Sequence, residues 1–446
     1  MPSTPDAQEK YASRTEKSRL LYEEAKKYLP AGVSYAIRHF EPYPFYAVRA
    51  KGSRVWDVDG NEYTDYWIGH GALVMGHAYR PVIEAAKEQL ELGAHLGFAN
   101  EWEEKHAKQI VKMVPSAEMV RPTNSGTEAN MYAMRVARSY TDRPKIAKFE
   151  GAWHGGSDVL HKGTSYPYEA RPSAGLDETL QKNTLLVPYN DLEGVIKRIR
   201  GEEDQIACFL IEPVLAGAGC IPSDIEFLKG LREFTEKIGA LLVFDEVVTG
   251  FRLSAGGAQE LYGIKPDLTV LGKAVGGGTF PAGGFCGRRD VMERIDHTKY
   301  PKASERSFHG GTYAGNPLVA RAGYTFLSKL DELKGEIYPY LARLGKMARD
   351  RLSEAFERAN FPAHATGEGS LLGVHFTKEK PHDMRSAIET KDQTLTEAYF
   401  RFMLENMVVF LSPQTAHCFI SAAHTEEEVN RFVSLSEEFV NIHKNK

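Results

Sequence analysis

Leu241-Leu242-Val243-Phe244-Asp245-Glu246 and Asp267-Leu268-Thr269-Val270-Leu271-Gly272-Lys273 follow one pattern. Each holds a short apolar run of β-branched, aromatic or leucine residues, and each ends on an ionisable group. Runs of this length and composition read as buried strands. In an open parallel sheet the carboxyl ends of the strands converge on the ligand crevice. The two segments therefore predict a carboxylate, Asp245, and an amine, Lys273, delivered to one cavity. An amine there can hold an aldehyde as a Schiff base, while the carboxylate neutralises a protonated ring nitrogen.

The same kind of strand recurs at Lys145 to Phe149, Thr184 to Val187 and Ile206 to Ile211, with helical patterns between them. This alternation predicts an α/β fold, a mostly parallel sheet covered by helices on both faces. Residues 78–332 form one large domain in this reading. Beyond a helix from Pro317 to Leu330 the pattern changes. A long amphipathic helix over Glu336 to Ala359 precedes Leu371 to Phe376, a helix near Thr394 to Asn406, and Val408 to Leu411. That predicts a smaller α+β domain over residues 333–446. Residues 1–77 carry a helix from about Ser13 to Tyr28 and short strands at Phe45 to Val48, Arg54 to Asp57 and Tyr63 to Tyr66. They are expected to add to the small domain and to the entrance of the site.

An anion site stands at Asn124-Ser125-Gly126-Thr127-Glu128-Ala129, just before the helical pattern Met131, Met134, Val136, Ala137. Small hydroxyl residues and a glycine at a helix start leave several N–H groups free, and the helix dipole favours an anion there. Taken alone, an ordinary helix cap would look the same, just as a lone Gly-Lys is ordinarily a solvated loop lysine. Nor is this a nucleotide module. A Walker loop needs a glycine five residues before its Gly-Lys pair, where this chain has Asp267, and Gly217-Ala218-Gly219 lacks the third glycine of a dinucleotide turn. Amine, carboxylate and phosphate cradle together point to pyridoxal 5′-phosphate (PLP).

With 446 residues, 42% of them hydrophobic, the chain can bury a large domain and a smaller one. A net charge of −5 gives no general attraction to nucleic acid or to an anionic membrane. No apolar run approaches the ~20 residues that span a bilayer, and Met1 to Lys10 is polar. Cys208, Cys220, Cys286 and Cys418 form no CxxC pair and no metal site is expected; buried thiols in a reducing compartment, hence a cytoplasmic protein, are the expectation.

Six ordered segments carry a family resemblance. They are Ser125-Gly126-Thr127-Glu128-Ala129, Glu150-Gly151-Ala152-Trp153-His154-Gly155, Glu212-Pro213-Val214, Asp245-Glu246-Val247, Gly272-Lys273-Ala274 and Gly311-Thr312-Tyr313-Ala314-Gly315-Asn316-Pro317. Together they resemble the motifs of class III aminotransferases, PLP enzymes of fold type I with a seven-stranded-type sheet. Within that class the chain is most similar to the glutamate-1-semialdehyde aminomutase branch, which also holds transaminases for β- and aromatic amino acids. The similarity runs from about Tyr22 to the C-terminus.

The resemblance implies a role for each residue. Lys273 holds PLP and moves the proton. Asp245 sits by the ring nitrogen, Val247 packs on one ring face, and Trp153 stacks on the other, where relatives more often carry tyrosine or phenylalanine. Ser125, Gly126 and Thr127 bind the phosphate, Glu212 supports the pocket near Asp245, and His154 braces the loop. Thr312 is expected to reach the phosphate of a partner subunit's cofactor, which implies a homodimer with shared sites. Arg38 matches the arginine that receives the substrate carboxylate, and its planar fork suits that partner. His70 falls at the substrate end of the site.

Three departures surround the substrate. Aminomutases usually read Ser-Trp-Gly where this chain has Gly69-His70-Gly71. Their Glu-Pro-Val-Ala-Gly-Asn becomes Glu212-Pro213-Val214-Leu215-Ala216-Gly217, and an acidic Phe-Glu-Ala segment becomes Gln414-Thr415-Ala416-His417-Cys418. Gly69 to Val74 resembles transaminases of aromatic amino acids. The expectation is therefore a transaminase that passes an amino group from an amino acid to a keto acid through a pyridoxamine intermediate. Intramolecular amino transfer of the aminomutase type is the alternative. A regulatory PLP-fold module without turnover would not need to keep Lys273, Asp245 and both phosphate segments together.

Overall fold

The computed structural model describes residues 5–410 and 416–444. Its largest sheet has seven strands, in the order Met119–Thr123, Gly283–Gly287, Leu268–Gly272, Leu241–Asp245, Ile206–Ile211, Lys145–Phe149, Thr184–Val187. Gly283–Gly287 runs antiparallel to both of its neighbours, and the other pairs are parallel. This is the mostly parallel, helix-covered sheet expected from the alternation of strands and helices in the sequence. Strands Ile206–Ile211, Leu241–Asp245 and Leu268–Gly272 are buried along their whole length. That burial on both faces is why they read as unbroken apolar runs and not as alternating ones.

Alternate residues of these strands feed two cores. On one face Ala147, Phe149, Leu242 and Phe244 pack with Phe227, Leu228 and Leu231 of helix Ile225–Ile238. On the other, Ile146, Leu210, Val243 and Val270 meet Ala133, Met134 and Ala137 of helix Gly126–Thr141. Each large apolar side chain so buried contributes about 1.5–3 kcal/mol. The sheet is thus a rigid platform whose carboxyl ends can hold a site in place.

The chain divides into two compact units. One is Arg80–Pro339 with His382–Ile388 and holds this sheet; the other is Met1–Tyr79 with Tyr340–Pro381 and Glu389–Lys446. Within the second, Val408–Val409 pairs in parallel with Glu62–Asp65, extending the antiparallel strands Ala47–Lys51, Arg54–Asp57 and Glu62–Asp65. A three-stranded sheet joins His364–Thr366, Leu371–His375 and Ala416–Phe419. The short return His382–Ile388 is held in the first unit by Arg385, whose guanidinium grips both oxygens of Glu150 at 3.0–3.2 Å. Leu411, expected in the last strand, and Gln414-Thr415 lie outside the described residues.

The helix expected from Ser13 to Tyr28 is two helices, Pro5–Arg14 and Glu16–Ala25. The break falls at Thr15, whose hydroxyl donates to Tyr11 O at 2.6 Å. The second helix is started by a distant residue: Lys17 and Ser18 donate their N–H groups to the Asp59 carboxylate. A cap supplied from 41 residues away leaves no mark on the local periodicity. All four cysteines are buried thiols and none is in a disulfide. Among the described residues no helix is long and apolar enough to cross a membrane.

Candidate active site

Four strand ends and one helix start build the site in the first unit. Lys273 directly follows strand Leu268–Gly272 and adopts a left-handed backbone, φ 46°. A non-glycine residue held there is uncommon and tends to mark a functional position. Burial pushes its ammonium below the ordinary lysine range, while Asp245 and Glu212 pull it back up. Val247 is wedged between two glycines. A Cβ on either Gly126 or Gly272 would stand 2.9 Å from one of its methyls. The absence of both side chains brings the helix start, the valine and the lysine strand together.

Asp245 closes the end of strand Leu241–Asp245 and is buried. Three donors fix its carboxylate. Oδ2 accepts from Asn130 Nδ2 at 2.8 Å and from His154 Nδ1 at 2.7 Å, and Oδ1 accepts from the Val247 N–H at 3.0 Å. Burial pushes the His154 imidazole below its usual range, against the pull of Asp245. With Nδ1 donating, Nε2 is left as a buried acceptor with no partner among the described residues.

Glu212 lies just past strand Ile206–Ile211 and accepts from the Trp153 N–H at 2.8 Å. Burial first, and Asp245 second, push its carboxyl up to about 8. Trp153 is 45% exposed, so its indole has a free face, with His161 meeting its edge at 5.4 Å. The loop it sits on rests on the helix start. A Cβ on Gly155 would come within 2.2 Å of Thr127 Oγ1.

Ser125 caps helix Gly126–Thr141 by accepting from the Glu128 N–H at 3.2 Å, and Glu128 reaches back to the Asn124 N–H at 3.0 Å. The N–H groups of Gly126 and Thr127 have no intrahelical partner, as in any first turn, and can bind an anion. Strand Gly283–Gly287 presses against this cap; a Cβ on Gly283 would sit 2.2 Å from Ser125 O. The arrangement offers an anion cradle, an oriented buried carboxylate and an amine of lowered basicity.

Lys273, Asp245, Glu212, Val247, Trp153 and the Ser125–Thr127 turn are thus gathered in one unit. Thr312 belongs to the same unit, exposed in the turn after Gly311. Arg38 and His70 belong to the other. Arg38 is exposed and donates to Ser34 Oγ at 2.8 Å. His70 has φ 59° and stacks on Trp67 at 4.2 Å, with His417 at 6.1 Å.

Two members were not foreseen from the sequence. Asn130 sits one turn beyond Gly126, so its spacing on the helix was the available signal. Lys148 is a fully buried lysine inside strand Lys145–Phe149, donating to the carbonyls of Ala152, Leu160 and Lys162. Its signal was a lone charge in an apolar strand. His154, read as a loop brace, also contacts Asp245 directly.

The family model of the class-III aminotransferases matches residues 35–432. A glutamate-1-semialdehyde 2,1-aminomutase of Methanosphaera stadtmanae is 42% identical over 95% of this chain and 98% of its own. Among solved structures, a β-phenylalanine aminotransferase from Variovorax paradoxus superposes with a TM-score of 0.89, at 33% identity over 98% of this chain and 96% of its own. A transaminase with PLP bound superposes with a TM-score of 0.85, at 32% identity over 96% and 98%.

Proposed function

The chain belongs to the class-III aminotransferases, and on that premise we propose that it moves an amino group within one carbon skeleton, as a glutamate-1-semialdehyde 2,1-aminomutase does. The observation that carries this reading is the 42% identity, nearly end to end, to the Methanosphaera stadtmanae aminomutase. It supports the alternative drawn from the sequence better than the two-substrate transaminase placed first there.

The cofactor is PLP, and the residues present fit it. The buried, triply held Asp245 suits a protonated ring nitrogen, and the helix start at Gly126 suits a phosphate. Bound PLP supplies the electron sink for the charge that develops when a proton leaves the substrate carbon. The protein's own groups do the rest. Lys273 Nζ would hold the cofactor's aldehyde carbon and would serve as the base that carries the proton at the substrate carbon. Its lowered basicity favours the neutral amine that both tasks need. Asn130, His154 and the Val247 N–H aim Asp245 at the ring nitrogen. Trp153 and Val247 cover the two ring faces, Ser125, Gly126 and Thr127 hold the phosphate, and Glu212 anchors the Trp153 backbone. Arg38 receives the substrate carboxylate, with His70 at the substrate end, and Thr312 serves the cofactor of a second copy in a homodimer.

A second reading, transfer from an amino acid to a keto acid, is favoured by a specific observation. The aminomutase asparagine is replaced by Gly217, and the β-phenylalanine aminotransferase is similar over nearly its full length. One experiment separates the two. The purified holoenzyme is given glutamate 1-semialdehyde and no acceptor. Continuous formation of 5-aminolevulinate supports the aminomutase reading. No product from it, with a β- or aromatic amino acid instead leaving the cofactor in its amine form until a keto acid is added, would replace it with the second.

A further inference from the structure

We propose that Lys148 is a positioning residue, whose ammonium clamps through three carbonyls the segment that carries Trp153 and His154. This rests on the reading of Trp153 as the cover of one cofactor face.

Lys148 is the fourth residue of strand Lys145–Phe149, flanked by Leu186 and Leu210 on the neighbouring strands, and is wholly buried. A buried ammonium is strongly destabilising unless its donors are satisfied. Here all three are used, and none goes to a carboxylate. They go to Ala152 O at 3.0 Å, Leu160 O at 2.8 Å and Lys162 O at 2.8 Å. The acceptors bracket one excursion of chain, from the residue before Trp153 to the residue after the turn Asp158–His161. One cation thus pins both ends of a loop that has no ladder of its own.

An apolar side chain would fill the strand position without desolvating a charge. It would leave three carbonyls without their donor, two of them buried, so the loop would move to rehydrate them. The charge also belongs to the site. Glu212 and Asp245 pull the ammonium up against burial, which brings it to about 7, and Lys148 in turn helps hold His154 and His161 down. Lys148, wholly buried with its three donors on backbone carbonyls, therefore acts through the segment it holds.

The test measures hydrogen–deuterium exchange of residues 150–163 in the full-length, cofactor-free protein, together with PLP affinity by absorbance titration. Lys148→Met should speed exchange there at least ~10-fold while strand Leu241–Asp245 keeps its protection, and should weaken PLP ~10-fold. Lys148→Arg, which keeps charge and donors, should recover part of both. Should Lys148→Met not fold, Lys148→Gln, with donors but no charge, is read in the same segment. Unchanged exchange in a folded variant, or loosening spread evenly over the protein, overturns the proposal. Trp153→Ala keeps the two readings apart. If it leaves PLP affinity intact while Lys148→Met frees the segment, the role of Trp153 falls and the clamp stands.

Discussion

His154 Nδ1 stands 2.7 Å from Asp245 Oδ2, and both side chains are buried. The imidazole comes from the loop after strand Lys145–Phe149 and the carboxylate from the end of Leu241–Asp245. Two elements far apart in sequence are thereby locked by one hydrogen bond, and Asn130 adds a third from helix Gly126–Thr141. Hydrogen bonds to charged groups contribute about 1.5–3 kcal/mol each. His154→Phe keeps the ring volume and deletes the donor. It should weaken PLP binding ~10–100-fold in equilibrium titration and lower the melting temperature of the cofactor-free protein. Wild-type affinity in this variant would show that the histidine does not aim the carboxylate.

Gly283 offers a test of the anion cradle from behind. Its missing side chain lets the antiparallel strand lie directly against Ser125 O. Gly283→Ala places a Cβ into backbone that cannot swing aside, so the cap or the strand must shift. Overpacking of this kind costs about 1–3 kcal/mol. The expected outcome is a lowered melting temperature and weakened binding of both PLP and inorganic phosphate. A loss of stability with phosphate binding unchanged would separate the strand from the cradle.

Glu212 sets a pH dependence whose sign follows from its burial. Its carboxyl is raised from an ordinary 4.5 to about 8, so between those values the folded, cofactor-free protein holds a proton that the unfolded chain has lost. The stability this carboxyl contributes is then lost as pH rises through the window. Lys148, lowered from 10.5 to about 7, acts oppositely, but only above neutral pH. Buried His106 and His424, both lowered to about 4, also act oppositely, from about pH 4 to 6.5, so the carboxyl's share, on the order of 2 kcal/mol between pH 5 and 7, is read as a difference between two proteins. Glu212→Gln should remove that share, seen as a melting temperature that rises relative to the parent protein's as pH goes from 5 to 7. An equal slope in both proteins would place the sensitivity elsewhere.

The elements legible in the sequence were those whose side chains carry their own signal. Leu241 to Asp245 and Leu268 to Lys273 announce buried strands with reactive ends. Met119–Thr123 and Gly283–Gly287 were missed because neither looks like a strand. Pro122 is tolerated on an edge strand, and Gly283 and Gly287 are there for close approach, against Ser125 and Asp267. Asn130 and Lys148 were missed for a related reason. Their roles depend on which loop or carboxylate the fold brings above them, and no local pattern encodes that. Arg38 and His70 were singled out through family motifs alone.

Every role proposed for the site depends on Lys273 as the attachment point of PLP. Borohydride reduction of the purified holoenzyme, followed by peptide mapping by mass spectrometry, tests this directly. The prediction is a single reduced pyridoxyl adduct on Lys273. Lys273→Ala should bind PLP without that adduct and lose at least ~10³-fold in turnover. An adduct on another lysine, or full activity in Lys273→Ala, would contradict it.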